Sequence, residues 1–140
     1  MQYGPILIIE DDEDDKDFLF DALREIGITN KIIWLNNCIE AFDLLSKTKE
    51  QTFLILCDVN LPKQTGTEFK KCIDEHPELR KKSIPFVFYS TSADQKTVDE
   101  AYTKMTVQGF FKKSNNYEEI KTHMKIITDY CMHCKHPNRL

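Results

Sequence analysis

Ile6-Leu7-Ile8-Ile9 runs without a break into Glu10-Asp11-Asp12-Glu13-Asp14-Asp15, and the fold is read from that junction. Consecutive branched apolar residues with no polar alternation describe a strand covered on both faces, as in a parallel sheet with helices on either side. The abrupt change to acid marks the strand's carboxyl end, the edge where open α/β sheets do their chemistry. Similar runs follow at Ile32-Ile33-Trp34-Leu35, Phe53-Leu54-Ile55-Leu56-Cys57 and Phe86-Val87-Phe88-Tyr89, and a weaker fifth strand is predicted at 107–111.

Helical stripes fill the gaps. Phe18, Leu19, Ala22, Leu23 and Ile26 form one, closed by Gly27 as a C-cap. Ala41, Leu44 and Leu45 form a second. Phe69, Cys72 and Ile73 form a third, which His76-Pro77 ends because a residue before proline avoids helical angles. Val98, Ala101, Tyr102 and Met105 lie on a fourth with Asp94 as its N-cap, and Ile120, His123, Met124 and Ile127 on a fifth. Strand and helix thus alternate with short connections. Right-handed crossovers then predict an α/β fold, a doubly wound five-stranded parallel sheet flanked by five helices.

A chain of 140 residues holds one ordinary domain, and 41% apolar with 30% charged residues is the balance of a soluble globular protein. No apolar run approaches the ~18 residues of a membrane span. Met1-Gln2-Tyr3-Gly4-Pro5 lacks the basic start of a signal peptide, so the expected compartment is the cytoplasm. A net charge of −4 argues against a nucleic-acid partner. Cys38, Cys57 and Cys72 fall in apolar periodic segments and read as reduced core residues. The end, Cys131-Met132-His133-Cys134-Lys135-His136, crowds its donors too closely to wrap a tetrahedral ion. The domain is therefore drawn over 1–130, with 131–140 as a C-terminal tail.

The third strand runs into Asp58 as the first runs into Glu10 and Asp11. In the usual strand order of this architecture both strands are central, so Glu10, Asp11 and Asp58 should converge on one edge. Carboxylates so close raise one another's pKa unless a cation neutralises them. A hard divalent ion with oxygen ligands fits, Mg²⁺ first of all. Asp14 and Asp15 read instead as N-cap and helix-dipole residues of the first helix.

These residues resemble the receiver domain of response regulators in bacterial two-component systems, a flavodoxin-like fold, over most of the chain, from about Pro5 to about Tyr130. Ile6-Leu7-Ile8-Ile9-Glu10-Asp11-Asp12 is similar to the family's first strand and acidic pair. Leu56-Cys57-Asp58-Val59-Asn60-Leu61-Pro62, followed by Gly66, is similar to its phosphoacceptor strand and loop. Phe86-Val87-Phe88-Tyr89-Ser90-Thr91-Ser92 looks like its fourth strand, and Gly109-Phe110-Phe111-Lys112-Lys113 like its fifth.

The resemblance implies a role for each position. Asp58 is the expected phosphoacceptor, taking a phosphoryl group from a phosphohistidine on a sensor histidine kinase or histidine phosphotransfer protein. Asp11, Asp58 and the backbone carbonyl of Asn60 are the expected ligands of Mg²⁺ (or Mn²⁺), with Glu10 acting through water. Lys113 pairs with the carboxylates and then with the phosphoryl group, and Ser90 donates its hydroxyl to it. Ser90 and Phe110 form the expected switch, Phe110 turning inward from the face of the fourth helix, fifth strand and fifth helix. Asn60 and Ser92 hold the positions that tune hydrolysis, and neither blocks water by charge or bulk.

The pattern has departures. Ser114 stands where the family usually has proline after the lysine, in a bond commonly cis. A cis bond to serine costs about 3–4 kcal/mol, so the Lys113–Ser114 peptide is expected trans, or cis and strained. Cys38 replaces a more usual small turn residue. Two other functions compete. A haloacid-dehalogenase-type phosphatase wants a second aspartate two residues after its nucleophile, where this chain has Asn60. A pseudo-receiver, binding proteins without phosphorylation, would lack an acid or the lysine, and here all are present. The chain ends soon after the fifth helix, so output is expected by contact with a target protein or by relay of the phosphoryl group, as a switch and not a turnover enzyme.

Overall fold

The computed structural model describes residues 3–135. Its strands are β1 (Ile6–Ile9), β2 (Ile32–Leu35), β3 (Leu54–Cys57), β4 (Phe86–Ser90) and β5 (Gly109–Lys112). The helices are α1 (Glu13–Glu25), α2 (Cys38–Lys47), α3 (Gly66–Glu75), α4 (Pro77–Lys82), α5 (Gln95–Lys104) and α6 (Tyr117–His133). All strand pairs are parallel, in the order β2-β1-β3-β4-β5. The doubly wound fold expected from the alternating pattern is the one observed.

Alternate residues of each central strand feed two separate cores. Leu7, Ile9, Ile55, Cys57, Phe86 and Phe88 pack with Ala41 and Leu45 of α2, Phe69 and Ile73 of α3 and Ala101 of α5. Ile6, Ile8, Leu54, Leu56, Val87 and Tyr89 pack with Leu19, Ala22 and Leu23 of α1 and Ile120, Met124 and Ile127 of α6. Burial of each such large side chain stabilises the fold by about 1.5–3 kcal/mol. Both faces are covered, which is why these strands carry no polar alternation.

Three expectations are corrected. β2 is an edge strand, half-buried with Trp34 exposed, because it has a neighbour on only one side. Phe18 leaves the stripe of α1 and is 47% exposed, whereas Leu19, Ala22 and Leu23 are buried. The helices number six, because Pro77 does not simply end α3. It occupies the first turn of α4, where its missing N–H costs nothing, and the His76 ring accepts from the Leu79 N–H to cap that helix. Gly27 closes α1 as expected, at φ +94°, with the Ile28 N–H on the Leu23 carbonyl and the Gly27 N–H on the Arg24 carbonyl. Asp94 caps α5.

All five cysteines are free, with Cys38 and Cys57 buried and Cys72 only half-buried. The segment beginning at Cys131 is helical through His133, and Cys131 is buried in the α1–α6 core. His136 lies outside the described residues. No described helix is long and apolar enough to cross a membrane.

Candidate functional site

Sheet register builds the site. Ile9 pairs with Cys57, and the Asp58 N–H donates to the Ile9 carbonyl at 3.0 Å, so Glu10 and Asp58 leave adjacent strands side by side. Ser90 pairs with Lys112, and the Lys113 N–H donates to the Ser90 carbonyl at 3.0 Å, which brings the lysine to the same edge. Asp12 caps α1 by accepting from the Asp15 N–H, and that cap turns the chain away immediately after the acids.

One oxygen from each of Glu10, Asp11 and Asp58 lies within 4.8 Å of the others. Glu10 is 2% and Asp58 7% exposed, whereas Asp11 and Asn60 are exposed at the rim. The Lys113 ammonium, almost fully buried, donates to Asp58 Oδ2 at 2.9 Å and to Asp15 Oδ2 at 2.9 Å, and it also pairs with Glu10. Asp58 Oδ1 accepts from the Val59 N–H at 2.7 Å. The fully buried Ser90 hydroxyl oxygen lies 3.4 Å from that same N–H and accepts from the Ser92 N–H at 3.1 Å. The Asn60 side-chain amide donates to the Ser92 hydroxyl, closing one side of the rim.

Burial pushes the Glu10 carboxyl up to about 8, overriding the pull of Lys113, and the charge of Asp58 adds to the rise. For Lys113, burial works against the ammonium, yet its hydrogen bonds to Glu10, Asp15 and Asp58 outweigh it and raise its pKa. The pocket thus holds more acid than one lysine neutralises. A carboxylate-lined, oxygen-only donor set short of positive charge fits a hard divalent cation.

Close packing holds Asp58 from below. The Gly66 N–H donates to the Val59 carbonyl at 2.8 Å, and a Cβ at Gly66 would stand 2.1 Å from the Asp58 carbonyl oxygen. A side chain there would push the acid loop outward. Phe110 is half-buried on the first core, its ring 5.4 Å from that of Phe88, and its N–H donates to the Tyr102 hydroxyl. The Lys113–Ser114 peptide is trans, as no described peptide bond is cis. Beside Lys113 a cleft of about 650 Å³ opens among Asp15, Phe18, Thr91, Ser114 and Tyr117.

The structure therefore gathers Glu10, Asp11, Asp58, Ser90 and Lys113 at one edge, with Asn60 and Ser92 at its rim and Phe110 on β5, three residues before Lys113. The expectation of Asp14 and Asp15 as N-cap and helix-dipole residues is corrected in part: Asp12 is the N-cap, Asp14 and Asp15 lie in the first turn of α1, and Asp15 is in addition a partner of Lys113. The signal was its place three residues after the cap, in a first helical turn that stands over the strand ends.

Residues 6–125 match the family model described as the response regulator receiver domain. Response regulator Rcp1 of Synechocystis sp. is 30% identical over 120 residues, spanning 82% of this chain and 80% of Rcp1. The crystal structure of the phosphorylated cyanobacterial phytochrome response regulator RcpA is similar with a TM-score of 0.85 at 25% identity, covering 97% of this chain and 99% of RcpA. The Mn²⁺-bound form of response regulator Rcp1 is similar with a TM-score of 0.80 at 27% identity, covering 95% and 98%.

Proposed function

Because the chain belongs to the response-regulator receiver-domain family, we propose that it is a phosphorylation switch with Asp58 as the phosphoacceptor. The observation that carries this reading is the pairing of Asp58 with Lys113 beside Glu10 and Asp11 at the carboxyl edge of the central strands.

An Asp58 carboxylate oxygen attacks the phosphorus of a phosphohistidine on a sensor histidine kinase or phosphotransfer protein. The new P–O bond forms as the P–N bond breaks, and the imidazole leaves with its electron pair and takes up a proton. Asp11, Asp58, the Asn60 carbonyl and, through water, Glu10 would hold Mg²⁺ or Mn²⁺, which when bound neutralises charge on the phosphoryl oxygens. Lys113 exchanges its bond to Asp58 for one to the phosphoryl group, stabilising charge that grows in the transition state. The cleft beside Lys113 gives the phosphodonor a seat.

Phosphorylation adds close to two negative charges at Asp58. The Ser90 hydroxyl turns to donate to them, and Phe110 turns further toward Phe88 into the space released, altering the surface of α5, β5 and α6. Output then passes by contact with a target protein or by onward transfer. Asn60, two residues beyond the nucleophile, offers an amide and no acid for rapid hydrolysis, so the chain acts once per phosphorylation and loses the group slowly.

Incubation with acetyl phosphate and Mg²⁺ should add the mass of a single phosphoryl group, acid-stable and base-labile, that is absent in Asp58→Asn. An adduct of equal size in that variant overturns the assignment. Followed over time, the same sample gives the phosphoryl lifetime, and persistence for many hours contradicts the reading that Asn60 and Ser92 block no water by charge or bulk.

A further inference from the structure

β2 ends at Leu35, whose carbonyl accepts the Glu10 N–H at 3.1 Å. The next β2 donor facing β1 would come from Asn37, but Asn37 has left the sheet to cap α2. The Glu10 carbonyl accepts instead from the Trp34 indole N–H at 2.7 Å. That carbonyl belongs to the peptide joining Glu10 to Asp11. The Asp11 carboxylate is exposed, and among the described residues no hydrogen bond or ion pair of the chain holds it, so its place beside Glu10 and Asp58 depends on its backbone. The Lys16 ammonium of α1 stands 4.3 Å from the centre of the Trp34 ring, over its face. The indole thus joins the edge strand, the acid-bearing peptide and the first helix.

We propose that Trp34 is a positioning residue for the divalent-cation site, aiming Asp11 through the Glu10 peptide, and that its fluorescence reads the occupancy of that site. The proposal rests on the reading that Glu10, Asp11 and Asp58 bind a divalent cation. Trp34 is the only tryptophan in the chain, so the emission has one source. The donor matters and not only the ring, because an aromatic side chain without N–H leaves the Glu10 carbonyl to water and the Asp11 peptide free to turn.

The test is Mn²⁺ titration of the full chain, following free Mn²⁺ by electron paramagnetic resonance, in wild type, Trp34→Phe and Asp11→Asn. Thermal melting without metal checks each fold. Wild type should bind one Mn²⁺, Trp34→Phe should bind about 10-fold more weakly, and Asp11→Asn should lose binding. Equal affinity in wild type and Trp34→Phe overturns the positioning role and leaves the cation reading standing. No binding by wild type, or undiminished binding by Asp11→Asn, overturns the cation reading itself. If Trp34→Phe does not fold, wild-type emission still decides. It should change saturably with Mg²⁺ over the range in which Mg²⁺ displaces Mn²⁺, and a flat response there overturns the proposal.

Discussion

The Lys113 ammonium lies 2.9 Å from Asp58 Oδ2 and is shared with Asp15 and Glu10, so one almost buried cation serves three carboxylates. Removing it strands buried like charge. Lys113→Met should therefore destabilise the metal-free protein by about 3 kcal/mol, and added Mg²⁺ should recover part of that loss. Urea unfolding in EDTA and in Mg²⁺ measures both effects, and an unchanged midpoint in EDTA would show that the lysine does not hold the acids together.

Gly66→Ala should be costly although the backbone at Gly66 is ordinary. The added Cβ would sit 2.1 Å from the Asp58 carbonyl oxygen and 3.1 Å from the Cys57 sulfur, both in a packed strand end. Overpacking of this kind costs about 1–3 kcal/mol. The variant should melt earlier and also take up phosphate from acetyl phosphate more slowly. A lower melting point with an unchanged phosphorylation rate would separate Gly66 from the placement of Asp58.

Away from that edge, Asp74 should govern the acid limb of stability. Its carboxylate accepts from Lys70 at 2.8 Å and from the Thr106 N–H and hydroxyl at 3.1 and 2.8 Å. Burial works against the charge, but these bonds outweigh it and lower the pKa from 3.8. A depressed folded-state pKa gives stability that is present above the unfolded value and lost as pH falls through the folded one. Burial lowers the pKa of Lys70 from 10.5 despite Asp74, and that shift acts only in the alkaline range, where stability rises toward the unfolded value. Asp74→Asn should cost about 2 kcal/mol at neutral pH, and the gap to wild type should close below pH 3.8. A gap independent of pH would remove Asp74 from the account.

Phe110 should move when Asp58 carries a phosphoryl mimic. Its ring is half-buried and 5.4 Å from that of Phe88. A crystal structure with beryllofluoride and Mg²⁺ should show the ring more deeply buried, and an unmoved ring would assign the switch to another residue.

Local pattern carried most of the fold. Unbroken runs such as Ile6-Leu7-Ile8-Ile9 and Phe53-Leu54-Ile55-Leu56-Cys57 need two apolar layers, and that need is written in each segment separately. The acids after β1 and β3 were legible for the same reason, because strand ends and their polar successors are neighbours in sequence. The half-exposed face of β2 was not, since an edge strand differs from a central one only by what lies beside it. The split at His76-Pro77 was also hidden, because proline both stops one helix and starts the next.

By itself the chain of residues determined a doubly wound sheet and an acid-bearing edge at Glu10, Asp11 and Asp58, because periodicity and strand ends are local properties. Only the tertiary structure decided that Lys113 reaches Asp15 as well as Asp58, and that the Trp34 indole holds the Glu10 carbonyl. Those contacts join residues far apart in sequence. Their existence depends on strand register and helix placement, which no single segment encodes.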